Sequence, residues 1–192
     1  MRLFAALLPP PDVVTALKRR VAELAELPEA EALRWTRPPG WHLTLAFYGE
    51  IPEDVAPELA LRLERAAHRR APLALRLRGG GHFGDRALWA DVAYGDPGHR
   101  THLRRLAGSA AAAGRRVGAP EAERPFHPHL TLARGRPRRP TPLAPFVEAL
   151  ADFTAPPWPA ERVSLVRSHP PRSGVPGEQP HYEELASWPL GG

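Results

Sequence analysis

His42-Leu43-Thr44-Leu45-Ala46 and His129-Leu130-Thr131-Leu132-Ala133 are one pentapeptide occurring twice in a chain of 192 residues. From background residue frequencies an identical five-residue match has a probability on the order of one in a hundred, so the repetition reads as a duplication. Each copy alternates polar with apolar. That is the period of a half-buried β-strand, with the leucines turned to a core and His and Thr projecting together from the other face. A strand rises about 3.3 Å per residue, which sets the two projecting side chains roughly 6.5 to 7 Å apart. An imidazole and a hydroxyl at that spacing can converge on one tetrahedral phosphate. Two such strands bring two imidazoles and two hydroxyls to a shared cleft.

Outward from the repeats, the chain reads as two similar halves. Arg2 to Leu8 is a first strand, ended by three prolines that preset a helix over about Asp12 to Leu27, with Val14, Leu17, Val21 and Leu24 as its apolar stripe. An extended piece from Ala32 to Trp35 leads to the first repeat strand, Trp41 to Tyr48, which Gly49 closes. A second helix spans about Pro52 to Arg70. Leu73 to Arg78 alternates as a strand, Gly79-Gly80-Gly81 breaks it, and Ala87 to Ala93 resumes as its antiparallel partner. A third helix covers Thr101 to Arg116, and the second repeat strand runs from about His127 to Arg134. After a basic loop from Gly135 to Pro140, Thr141-Pro142 reads as the N-cap and first position of a fourth helix reaching Phe153. Arg162 to Arg167 and Tyr182 to Trp188 are strand-like, separated by a Gly/Pro-rich loop from Pro170 to Pro180. The expected fold is α+β, one two-lobed domain over residues 1–192, pseudo-symmetric, with largely antiparallel sheets lining a central cleft and helices packed outside.

Composition bounds the chemistry. There is no cysteine, which excludes disulfides, thiolate nucleophiles and zinc–thiolate sites and suits a reducing cytoplasm. The apolar run Leu3 to Leu8 is far too short to span a membrane. The formal charge is +5 with a pI near 10.6, yet all 26 basic residues except Lys18 are arginine in a chain heavy in Ala, Pro and Gly. A compositional bias accounts for much of that, and the bulk charge is a weak pointer to nucleic acid.

Histidine gives or takes a proton near neutrality. Two of them on opposite sides of a phosphorus act as base and acid in an in-line displacement, while threonine hydroxyls donate to the non-bridging oxygens. A single His-x-Thr would be read as a surface pair; two in matching contexts are read as a site. His127-x-His129 also puts two imidazoles on one face, a rival metal pair, although neither repeat has a nearby Asp or Glu to complete it. Arg134, five residues after His129, falls on the opposite face of a regular strand and reaches a phosphate only if the strand ends there. Arg136, Arg138 and Arg139 form a basic loop, read either as solvated or as tracking an RNA backbone. Trp41 and Phe47 are core residues or base-stacking platforms.

The paired HxTx tetrads, with Arg34-Trp35-Thr36 leading into the first and Pro128 before and Arg134 after the second, resemble the two-histidine phosphoesterase superfamily. More narrowly the chain resembles the RNA 2',3'-cyclic phosphodiesterases, also called 2'-5' RNA ligases. The opening Arg2-Leu3-Phe4-Ala5-Ala6-Leu7 and the closing Val163 to Ser168, Tyr182-Glu183 and Trp188-Pro189-Leu190 fit the same family. His127 departs from it, standing where an Arg or Lys is expected. The resemblance implies hydrolysis of RNA 2',3'-cyclic phosphate ends to 2'-phosphomonoesters. His129 would be proton acceptor, His42 proton donor, and Thr44, Thr131 and Arg134 would bind substrate, with no metal or cofactor, and with reversible 2'-5' ligation as a further activity. The expected partner is RNA with a cyclic phosphate end or a cyclic nucleotide, met by a cytoplasmic monomer with no membrane association. An RNA-end binding module without turnover, and a phosphodiesterase for a small nucleotide-derived or 2'-5' linked substrate, remain the alternatives.

Overall fold

The chain is described by a computed structural model covering residues 1–120, 125–171 and 178–192. In order it comprises β1 (Arg2–Leu7), α1 (Pro11–Ala25), β2 (Arg34–Trp35), β3 (Leu43–Glu50), α2 (Ala56–His68), β4 (Leu73–Phe83) and β5 (Ala87–Tyr94). There follow α3 (Pro97–Arg115), β6 (His129–Arg134), α4 (Ala144–Ala149), β7 (Trp158–Ala160), β8 (Arg162–His169) and β9 (His181–Pro189). Every strand pair is antiparallel, and the described strands form one sheet in the order β7-β4-β5-β6-β3-β1-β8-β9, with β2 paired to β6.

That order is a palindrome of the duplication. The unit β1-α1-β3-α2 is matched by β5-α3-β6-α4, and in the sheet β1 flanks β3 as β5 flanks β6. The halves meet where Leu43 pairs with Leu130, the pairing that joins β3 to β6 among the described residues. Helix contacts repeat the symmetry. α2 packs on α3, while Arg20 of α1 donates to the Ala149 carbonyl at 2.6 Å and meets Asp152 at 2.8 Å just past α4.

β1 explains why the sheet has two useful faces. Leu3, Ala5 and Leu7 enter the main core with Val13 and Leu17 of α1 and Leu59 and Leu63 of α2. Phe4 and Ala6 point the other way and pack with Val166 and Tyr182. The helices therefore cover one face, and the cleft lies on the other. No described helix is long and apolar enough to cross a membrane.

Several expected boundaries move for identifiable reasons. The glycine triplet does not break its strand: β4 continues to Phe83 through a register shift between Leu77 and Gly80, with Gly79 at φ +66°. A Cβ on Gly81 would fall 2.2 Å from the Trp89 ring, so this glycine makes room for an aromatic side chain. Gly49 likewise does not end β3; with φ +66° it sits at a bulge opposite Leu3, and the strand runs on to Glu50. α2 starts at Ala56 after a turn. α3 begins a turn early because Asp96 caps it, its Oδ1 accepting the Gly98 N–H at 2.7 Å. Thr141 caps nothing. It is 2% exposed with its hydroxyl donating to the Arg139 carbonyl at 3.3 Å, and α4 stops at Ala149 as the chain turns to bury Leu150 and Phe153. β7 is too short to show a period. The loop expected over Pro170 to Pro180 lies partly outside the described residues.

Helix α3 carries two glycines that the same substitution should affect in opposite directions. Nothing lies within 4 Å of a Cβ built on Gly108, whereas one on Gly114 falls 2.5 Å from the ring of Tyr48, a buried phenol that donates to the Ala110 carbonyl at 3.0 Å. Gly108→Ala should stabilise by about 0.5 to 1 kcal/mol through helix propensity. Gly114→Ala should destabilise by about 1 to 3 kcal/mol through overpacking. Urea midpoints of the two variants read the signs, and equal shifts would refute the packing account.

Candidate active site

Antiparallel pairing at Leu43 and Leu130 sets the geometry. Continued by one residue each way, it places His42 across from Thr131 and His129 across from Thr44, so each imidazole faces the other strand's hydroxyl. Both leucines are buried in the core, and the polar residues on either side of them turn to the cleft, as the alternation predicts.

Beyond the threonines the strands share an irregularity that the sequence does not announce. Against β1, Ala6 pairs with Thr44 but Ala5 pairs with Ala46, leaving Leu45 as an extra residue. Against β5, Trp89 pairs with Thr131 but Leu88 pairs with Ala133, leaving Leu132 extra. One inserted residue reverses the facing of all that follow. The residue five places after each histidine therefore returns to the cleft face: Phe47 in β3 and Arg134 in β6. Arg134, the last residue of β6, is thus on the side of His129, put there by the bulge at Leu132 where a regular strand would have turned it away.

Arg134 pairs with Arg34 of β2. Arg34 and Arg134 line a cavity of about 430 Å³ together with His42, Thr44, Phe47 and Tyr182. Arg2 also lines it, its guanidinium 5.1 Å from the centre of the Phe47 ring. Gln179 accepts the Arg37 N–H at 3.0 Å and donates to the Trp35 carbonyl, tying the chain before β9 to the segment around β2. His129 and Thr131 stand beside this cavity and do not line it. Phe47 is 48% exposed, with Arg2 against its ring, while Trp41 at 4% exposure belongs to the core.

The two imidazoles are held alike. His129 Nδ1 lies 2.7 Å from the carbonyl of His127, two residues upstream, and His42 hydrogen-bonds the carbonyl of Gly40, also two upstream. A carbonyl only accepts, so Nδ1 of His129 carries the proton and its Nε2 presents a lone pair when the ring is neutral. The surroundings are aromatic. The Phe4 ring is 4.6 Å from His42 and Tyr182 is 5.2 Å away edge-on; Phe83 and Trp89 are 5.0 Å and 5.9 Å from His129.

Such burial disfavours the imidazolium. Desolvation first, then the positive charge of Arg134 and the other histidine, lower His42 to a pKa of about 4 against the pull of the Gly40 carbonyl. His129 is lowered as well, chiefly by burial and then by His127 and Arg134, against the pull of the His127 carbonyl and, less, of Asp91. Asp91 is a residue that local inspection missed. No carboxylate adjoins either repeat in sequence, but β5 pairs Asp91 with His129. Arg2, Arg34, Phe4 and Tyr182 were likewise visible only as parts of a family pattern, because each reaches the cleft from a strand distant in sequence.

The rival metal pair gains no third ligand. The His127 and His129 rings lie near-parallel at 6.1 Å, and among the described residues no group of three His, Asp or Glu side chains is arranged to hold a metal. His127 packs on Trp89 at 4.8 Å. Of the basic loop, Arg139 is tied to Glu31 at 2.8 Å.

A family model for the 2'-5' RNA ligase superfamily matches residues 7–172. The RNA 2',3'-cyclic phosphodiesterase of Thermus thermophilus is 34% identical over 177 residues, covering 88% of this chain and 82% of the relative. The solved structure of TT0787 from that organism superposes with a TM-score of 0.76 at 31% identity, covering 100% of this chain and 99% of the other. E. coli LigT complexed with 3'-AMP superposes at 0.74 with 26% identity over 98% and 97% of the two chains.

The lowered pKa values predict a coupling between acid, anion and fold. The unfolded chain binds a proton on His42 at the ordinary value near 6.5, and the folded chain resists until about pH 4. The contribution of His42 to stability is therefore complete above about pH 6.5 and is lost as pH falls towards 4. Urea midpoints should drop more steeply between pH 7 and 4.5 in the wild type than in His42→Ala. Inorganic phosphate should raise the His42 midpoint followed by NMR, because an anion favours the imidazolium; an unmoved midpoint would show that no anion binds beside this ring.

Proposed function

The chain belongs to the 2'-5' RNA ligase superfamily, and we propose that it is an RNA 2',3'-cyclic phosphodiesterase that opens the cyclic ester to a 2'-phosphomonoester by proton transfer between two imidazoles, without a metal. The observation that carries this reading is the register at Leu43 and Leu130, which gives one cleft two His/Thr pairs in mirrored placement. The name of the Thermus relative and its similarity over most of the chain support the substrate class, as does the 3'-AMP bound by LigT.

In this scheme the Nε2 lone pair of His129 takes a proton from water as the water oxygen bonds to phosphorus. The bond from phosphorus to the 3' oxygen breaks in line, and His42 delivers a proton to that oxygen. Thr44 and Thr131 donate to the non-bridging oxygens, and Arg134 offsets the charge that develops there. The product leaves His129 protonated and His42 neutral, and exchange with solvent restores the pair. A 5'-hydroxyl in the place of water would yield a 2'-5' linkage, the ligation counterpart of the same displacement.

The pKa of His42 bears on its role. At about 4 in the free protein it is neutral at pH 7, and the cyclic phosphate monoanion supplies the charge that lets it hold a proton. Each unit of such a shift is worth about 1.4 kcal/mol. A strongly acidic imidazolium is also a good donor to a departing alkoxide. Both halves of the site lie in one chain, 1–192 acting as one two-lobed catalytic domain, so a monomer suffices. The absence of cysteine fits a cytoplasmic enzyme.

Metal-stripped protein in excess chelator should convert a 2',3'-cyclic nucleotide to a single product, seen by phosphorus NMR as the 2'-phosphomonoester. His42→Ala and His129→Ala should each abolish turnover and keep the fold. Thr44→Val or Thr131→Val should lose roughly 1.5 to 3 kcal/mol of transition-state stabilisation, about ten- to a hundred-and-fifty-fold in rate. A 3'-phosphate product would reverse the assigned roles. Activity lost to chelator and restored by metal would revive the His127 and His129 pair, and no turnover of any cyclic substrate would leave an RNA-end binding module.

A further inference from the structure

A second cavity, of about 420 Å³, adjoins the first and shares Arg34 and Arg134 with it. Its other charged lining residues are Arg86, Arg136 and Asp85. Four guanidinium groups against one carboxylate leave the wall strongly cationic. None of the four arginines is within salt-bridge distance of a carboxylate among the described residues, unlike Arg139 in the same loop, which is paired with Glu31. The wall is also built rather than loose. The Gly135 N–H donates to the Arg86 carbonyl at 3.0 Å, and a Cβ on Gly135 would fall 1.9 Å from the Asp85 carbonyl oxygen. Only glycine allows the loop after β6 to press so closely on the turn before β5. That contact fixes the backbone carrying Arg86 against the backbone carrying Arg134 and Arg136.

We propose that this second cavity binds the phosphodiester immediately upstream of the cyclic end, with Arg86 and Arg136 as its anion ligands and Arg34 and Arg134 bridging it to the reacting phosphate. The inference rests on the cyclic phosphodiesterase reading of the neighbouring cleft. A 2',3'-cyclic phosphate terminates its strand, so further phosphates can enter only from the 5' side. Several guanidinium groups lining a cavity next to the cleft, with no carboxylate within salt-bridge distance among the described residues, are the kind of feature that holds a polynucleotide backbone. The protein therefore selects strand ends over free cyclic nucleotides, and Arg136 is the member of the basic loop that takes part.

The test compares adenosine 2',3'-cyclic phosphate, its 5'-phosphorylated form, and the dinucleotide ApA carrying the same cyclic end. The dinucleotide should show a higher kcat/KM than adenosine 2',3'-cyclic phosphate, through a lower KM. The logarithm of its kcat/KM should also fall more steeply with the logarithm of salt concentration, by about 0.7 for one added phosphate contact on a single strand. In Arg86→Ala/Arg136→Ala the preference should drop about tenfold and the extra salt slope disappear, while Arg86→Lys/Arg136→Lys keeps most of the slope. Retained turnover of the mononucleotide in the same double variant shows that its fold is intact. A preference and slope unchanged by the double alanine variant would overturn the proposal with the phosphodiesterase reading left standing. The 5'-phosphorylated mononucleotide carries a phosphate on the same 5' oxygen, so it should share the advantage and lose it in the same double variant; the lack of any advantage of either phosphorylated substrate over adenosine 2',3'-cyclic phosphate would overturn the proposal. If no cyclic substrate turns over, salt-dependent binding of a 2'-phosphorylated oligonucleotide to wild type and double variant still decides the subsite, and equal slopes there would refute it.

Discussion

Among the described residues β3 and β6 meet at one pairing, Leu43 with Leu130, and the proposed chemistry depends on its register. An antiparallel match shifted by one residue would set Leu43 opposite His129 or Thr131, turning one strand's leucine into the cleft and its His/Thr pair into the core, where an imidazole and a hydroxyl would lack partners. Burial of the leucines excludes that alternative more firmly than the hydrogen bonds do. The apolar residues of each repeat thus decide where its polar residues meet. The same pentapeptide can serve both strands because an antiparallel pair has a local two-fold axis.

Electrostatically the cleft is prepared for an anion that the protein itself does not supply. Arg2, Arg34 and Arg134 line it, and two imidazoles beside it are pushed towards neutrality by aromatic surroundings. Charge that would repel within the free protein becomes attractive once a phosphate enters. Proton uptake and ligand binding are then linked, and affinity falls as pH rises past the point where the complex can hold its extra proton. Asp91, opposite His129, moderates the effect on that side.

The succession of strands and helices was legible because the duplication and the 2.0 and 3.6 periodicities are statements about burial, and burial dominates the fold. What escaped was everything set by local backbone geometry. The bulges at Leu45 and Leu132 carry no composition signal, so periodicity alone sets Arg134 on the face opposite His129, and only the family resemblance assigns it to the substrate. Gly79 to Gly81 looked like a break because glycine marks both breaks and bulges, and only the packing of Trp89 distinguishes them. His42, Thr44, His129 and Thr131 could be named from a repeat, whereas Arg2, Arg34 and Asp91 arrive from strands whose adjacency exists only after folding.

The bulges have one more consequence. A frame with two-fold symmetry has no preferred direction, since a phosphate inserted either way round would meet the same His, Thr and leucine scaffold. Besides the different aromatic neighbours of the two imidazoles, the two bulged strands break that equivalence at a matched position, presenting a phenyl ring at Phe47 and a guanidinium at Arg134. A ligand with one anionic and one aromatic end consequently has unequal energies in its two poses, and a difference of about 1.4 kcal/mol already favours one of them tenfold. Divergence at matched positions of a duplicated segment turns a reversible socket into a polarised one.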